Sequence, residues 1–129
     1  MSRTVICYDM DMYFAAVTIR DNPTLKDKPL VIGSLPGERG VVSTASYEAR
    51  KYGIRSGMSS YEAHRKCPHA VFMHPNMSAI IETTEIIKNI VSDYSDEIEF
   101  WIVNTFLYNF YSVIFVRRYS TGVMYSKVL

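Results

Sequence analysis

Apolar residues open the chain. Thr4-Val5-Ile6-Cys7-Tyr8 is a short β-branched run that ends in Asp9 and Asp11, the pattern of a buried strand with carboxylates at its C-terminal end. Met12 to Arg20 follows helical spacing, and Asp21-Asn22-Pro23 stops it. Pro29 to Ser34 and Gly40 to Ala45 read as two antiparallel strands joined by a turn around Pro36-Gly37. Ser46 to Tyr52 predicts a short helix closed by Gly53. Ser59-Ser60-Tyr61-Glu62 has the form of a capping box, opening a helix that runs to about Cys67 before Pro68. Val71 to Met73 fits a strand. Met77, Ile80, Ile81, Thr84, Ile87, Val91 and Tyr94 then recur at helical spacing, predicting an amphipathic helix with an acidic, solvated outer face.

From Phe100 onward no period of 2 or 3.6 survives. Aromatic residues crowd the segment, Asp and Glu are absent, and it reads as foreign to what precedes it. Phe100 to Val116 is apolar but spans only 17 residues and contains Asn104, Thr105, Asn109 and Ser112, too short and too polar for an ordinary membrane-spanning helix.

Composition narrows the class further. At 129 residues, 48% hydrophobic and 21% charged, the chain is that of an ordinary globular domain, which argues against disorder. The net charge of +1 gives no global case for nucleic-acid binding, but charge is uneven: Glu82, Glu85, Asp93, Asp96, Glu97 and Glu99 face Lys88 alone, and basic residues concentrate earlier. Two cysteines, Cys7 and Cys67, make no disulfide framework, and the N-terminus meets charge too early for a signal peptide. A reducing, cytoplasmic setting is expected. His64, Cys67, His69 and His74 match no compact zinc spacing.

Two constellations can carry chemistry. Asp9-Met10-Asp11 at a strand end suits Mg²⁺, which takes oxygen ligands and one or two protein carboxylates; a helix cap is the plainer alternative. Gly40 to Met58 mixes hydroxyls, Tyr47 and the cations Arg50, Lys51 and Arg55 on a strand, a turn and a helix, a set suited to a polyphosphate or to a solvated basic face.

In order and spacing these segments resemble the Y-family (translesion) DNA polymerases, in particular the DNA polymerase IV and UmuC-like group. The carriers are Tyr8 to Val17, Arg20-Asp21-Asn22-Pro23 with Pro29 to Gly33, Gly40 to Met58, and Tyr94 to Glu99. The resemblance implies an α/β (α+β) fold: a partial polymerase palm over residues 1–99 with an inserted fingers subdomain at about 20–75. It implies that Asp9 ligates two catalytic Mg²⁺ ions with the backbone carbonyl of Met10, and that Phe14 is a steric gate against ribose, with Tyr13 beside it. Thr44, Tyr47 and Arg50 then hold the β- and γ-phosphates, while Val41 and Gly57 roof the templating base pair. For Phe14 and Tyr13 the competing reading is core packing. The implied partners are a DNA primer-template and a deoxynucleoside triphosphate; the sliding-clamp-binding region of intact relatives is absent.

The resemblance breaks where a Ser-Ile/Leu-Asp-Glu motif should complete the metal site. In ungapped register Asn104 and Thr105 stand at the two carboxylate positions, leaving the site short of two negative charges. Residues 100–129 are therefore expected to be a divergent tail, the product of truncation or frameshift. The chain is expected to be inactive alone, with a non-catalytic nucleotide- or DNA-binding remnant or a tail-anchored fragment as alternatives. The tail is also expected to make the full-length chain self-associate, and cutting after Val103 to improve its behaviour.

Overall fold

The computed structural model describes residues 4–94, 97–102 and 112–118, the strands at 4–9, 97–102 and 112–118 by backbone course alone. Two three-stranded sheets organise them. In the first, β1 (Thr4–Asp9) and β5 (Glu97–Ile102) both pair antiparallel with β6 (Ser112–Arg118), which lies between them. Asp9 stands opposite Val113 and Glu97 opposite Arg117. In the second sheet β2 (Leu30–Gly33) is central, antiparallel to β3 (Val42–Ala45) and parallel to β4 (Val71–Met73).

The run Leu30-Val31-Ile32 shows why β2 is central. Alternate side chains of a strand point to opposite faces, so a strand buried on both sides is apolar without a break. Leu30 and Ile32 enter one core with Tyr13, Phe14, Ala15, Val17, Leu25 and Ile80, contributed by α1 (Tyr13–Asp21), the turn after it and α4 (Met77–Ser92). Val31 enters a second core with Val42, Ala45, Ala49, Ile54, Ala63 and Cys67, built by β3, α2 (Tyr47–Arg50) and α3 (Ser60–Lys66). The two cores are the two sides of an α/β fold, joined through one strand.

The expected starts hold up locally. Ser59 caps α3, its hydroxyl accepting from Glu62 N at 3.2 Å, as the capping-box spacing predicts. The expected apolar face of α4 needs correction. Ile80 is buried and Ala79 and Ile87 pack at the core's edge, but Ile81 is 55% exposed and Tyr94 74% exposed. α4 meets α1 along one narrow edge, so its periodicity specifies a helix without all of its apolar positions being covered among the described residues.

The boundary expected after Glu99 falls inside β5, and residues 112–118 of the expected tail form β6. Asn104 and Thr105 lie outside the described residues. Among the described residues no helix is long and apolar enough to cross a membrane.

Candidate functional site

Strand β1 delivers Asp9 to the end of the first sheet, and the chain turns there. Met12 takes a left-handed backbone (φ 39°) immediately before α1, unusual for a residue with a side chain. The turn places the Asp11 carboxylate against α2. Tyr47 Oη donates a hydrogen bond to Asp11 Oδ2, and Arg50 Nη1 lies 3.3 Å from Asp11 Oδ1. Arg50 also sits over the Tyr47 ring, its Cζ 5.3 Å from the ring centroid.

Arg50 is held from behind. Its Nε donates to Ala45 O at 3.0 Å, and its own carbonyl accepts from Arg55 Nη1 at 3.0 Å. A guanidinium fixed through Nε keeps its remaining N–H groups directed at whatever anion stands in front of it. The Asp11 and Arg50 side chains are 50% and 34% exposed, so the pair is open to a ligand from solution.

Ser46 fixes the helix that carries Tyr47 and Arg50. The fully buried Ser46 hydroxyl accepts from Leu30 N at 3.0 Å and Ala49 N at 3.3 Å, and donates to Lys28 O at 3.3 Å. It thus caps α2 and ties it to the start of β2. Ser46→Ala is expected to cost about 1–3 kcal/mol, since it leaves a buried backbone N–H unpaired and removes a helix cap; urea unfolding of the two forms checks it.

Of the expected site residues, Tyr47 and Arg50 meet at this point, and the others lie on neighbouring elements. Thr44 lies in β3 at 6% exposure, opposite Ile32. Val41 and Gly57 belong to adjoining backbone segments, joined where Gly57 N donates to Val42 O at 2.8 Å and Val42 N to Met58 O at 2.8 Å. Gly57 has φ 83°, a backbone that disfavours other residues, while the space beside it is open. Phe14 is 5% exposed at the start of α1.

Tyr13 is placed differently from the rest. It is 7% exposed, and its hydroxyl lies 3.3 Å from Ile80 O and 2.9 Å from Thr84 Oγ1, both on α4. Its polar end is thus directed to α4 and not to the Asp11, Tyr47 and Arg50 group. The histidines are scattered: His69 packs edge-on to Tyr52 at 5.2 Å, and His74 Nε2 lies 3.3 Å from Glu38 Oε1.

Sequence reasoning made Asp11 only a neighbour of the metal ligand and did not single out Ser46. The contact from Asp11 to Tyr47 and Arg50 spans 36 and 39 positions, which no local pattern reports. The signal for Ser46 is its place as a hydroxyl directly before the short helix. Of the two carboxylates in the Asp9–Asp11 turn, that of Asp11 is committed to cationic and phenolic partners. Among the described residues no group of three His, Cys, Asp or Glu side chains could hold a metal ion.

Comparison with known proteins shows the family of the chain. The model of the impB/mucB/samB family matches residues 8–120. A DNA polymerase IV of Streptococcus thermophilus is 52% identical over 101 residues, covering 76% of this chain and 28% of that protein. One from Listeria monocytogenes is 49% identical over 98 residues, covering 76% and 28%. Among solved structures, a post-insertion binary complex of Dbh DNA polymerase superposes with a TM-score of 0.75 at 31% identity, covering 87% of this chain and 30% of that one. DinB from Sulfolobus solfataricus gives 0.72 at 32% identity, covering 87% and 30%. The chain thus spans under a third of the length of these relatives.

Proposed function

Because the chain belongs to the impB/mucB/samB family, the Y-family DNA polymerases, we propose that it is the N-terminal palm and fingers part of a DNA polymerase IV. In that reading it recognises the phosphates of a deoxynucleoside triphosphate but does not catalyse primer extension by itself. The observation that carries the proposal is the convergence of Tyr47 and Arg50 on one point in front of the Asp9–Met12 turn. A guanidinium anchored through Nε, with a phenol beside it, is a ready set of donors for β- and γ-phosphate oxygens, and Thr44 lies on the adjoining strand.

The rest of the site follows the family pattern as proposal. Phe14, packed into the core behind it, is a rigid wall able to exclude a ribose 2′-hydroxyl, with Tyr13 bracing it from the α4 side. Val41 and Gly57 roof the base pair. Divalent metal, Mg²⁺ in this proposal, would be held from this turn by Asp9 and the Met10 carbonyl, since Asp11 faces a cation; when bound it neutralises phosphate charge during phosphoryl transfer. One carboxylate leaves a two-metal site short of two negative charges. DNA is the partner of the complete polymerase, translesion synthesis in DNA repair its role, and the cytoplasm its place.

Titration of dATP into the wild-type chain and Arg50→Ala tests the phosphate site. Loss of one charge-assisted contact is expected to weaken binding by roughly tenfold or more. Equal affinities would mean that the phosphates bind elsewhere.

A further inference from the structure

The groups assigned to the triphosphate are already occupied from within the chain. Asp11 offers two coplanar oxygens, one taking the Tyr47 phenol and the other facing Arg50 Nη1 at 3.3 Å. That is how a phosphate would meet the same two side chains, so the carboxylate stands in for a ligand anion. We infer that Asp11 is an intramolecular competitor for the nucleotide's phosphates, holding Tyr47 and Arg50 together until a triphosphate displaces it. The inference rests on reading Tyr47 and Arg50 as phosphate ligands.

Two opposing effects decide what removing the charge does. Asp11 helps order the two donors, which favours binding; it also competes for them and repels an incoming polyanion, which disfavours it. Ordering has other sources: Arg50 Nε on Ala45 O, Arg55 on the Arg50 carbonyl, and the stacking of Arg50 over Tyr47. Competition has no other source among the described residues in contact with Arg50 Nη1. The charge effect therefore wins, and a site half open to solvent limits its size. Asp11 is a positioning residue in this scheme: it sets how much affinity the phosphates must supply before the fingers let go of the palm turn.

The test is dATP binding in EDTA, so that metal at Asp9 plays no part, with the wild-type chain, Asp11→Asn, Arg50→Ala and the double variant, each checked for native circular dichroism. Asp11→Asn keeps the side chain's shape and is expected to tighten binding roughly threefold to tenfold. In the Arg50→Ala background the same change is expected to give a smaller gain, because only the competition for Tyr47 and the charge repulsion remain to be relieved. Asp11→Ala serves as a second variant with the same expected direction. If Arg50→Ala weakens binding while both Asp11 variants bind as wild type or worse, the competitor role is wrong and the phosphate site stands. If Arg50→Ala binds as wild type, or no form binds, the phosphate site itself is misplaced and the inference falls with it.

Discussion

Supplied with Mg²⁺, a primer-template and all four deoxynucleoside triphosphates, the purified chain is expected to extend the primer below detection. Two Mg²⁺ ions and a triphosphate need several fixed negative ligands to sit in line for phosphoryl transfer. In the proposed reading Asp9 is the one carboxylate offered to metal, Asp11 is paired with Arg50, and the positions aligned with the family's other two carboxylates are Asn104 and Thr105, which carry no charge. Loss of a single fixed stabilising group commonly costs about 10²–10³ in rate, and two absent metal-binding carboxylates cost more. The assay must use protein free of host polymerase, with Asp9→Ala as the blank. Mg²⁺-dependent extension by the wild-type chain that vanishes in Asp9→Ala would overturn the expectation and show that further ligands complete the site.

What the sequence revealed follows from how far each signal reaches. The apolar run Leu30-Val31-Ile32 announced a strand but not its central place, which only the pairing with β4 shows, and the Ser59-to-Glu62 spacing announced a helix start because a cap acts within one turn. The period of α4 announced a helix, but which of its apolar positions would be covered depended on what packs against it: Ile81 came out exposed, and the helix ends at Ser92, leaving the exposed Tyr94 beyond it. The motif residues gave the family, and with it Tyr47 and Arg50. They did not give the partnership of Arg50 with Asp11, because two oppositely charged side chains 39 positions apart leave no trace in periodicity. The least legible element was β6. Its aromatic, non-periodic surroundings read as foreign, whereas a strand paired on both edges is specified largely by main-chain hydrogen bonds that any non-proline residue can make.

That pairing leads to an expectation about the tail opposite to the one its composition alone suggests. A chain cut after Val103 keeps β5 but loses Ser112–Arg118, the strand paired with both β1 and β5. Six register positions of β1, Thr4 to Asp9, would lose their partners in β6, and so would the six of β5 from Glu97 to Ile102. Strand edges with unpaired N–H and C=O groups associate with one another, so shortening the chain is expected to raise aggregation and lower the thermal midpoint. The unpaired edges decide the outcome because each offers a continuous row of N–H and C=O groups that another chain can pair with. The effect should reach the site as well. Asp9 is the last residue of β1 and pairs with Val113, so freeing β1 loosens the turn that carries Asp11. Light scattering, thermal unfolding and hydrogen exchange at the amides of Val5 to Tyr8 compare the two forms. A truncated chain that is monodisperse, melts no lower and protects those amides as well as the full chain would mean that β6 does not hold β1, and that residues beyond Val103 are dispensable to the palm.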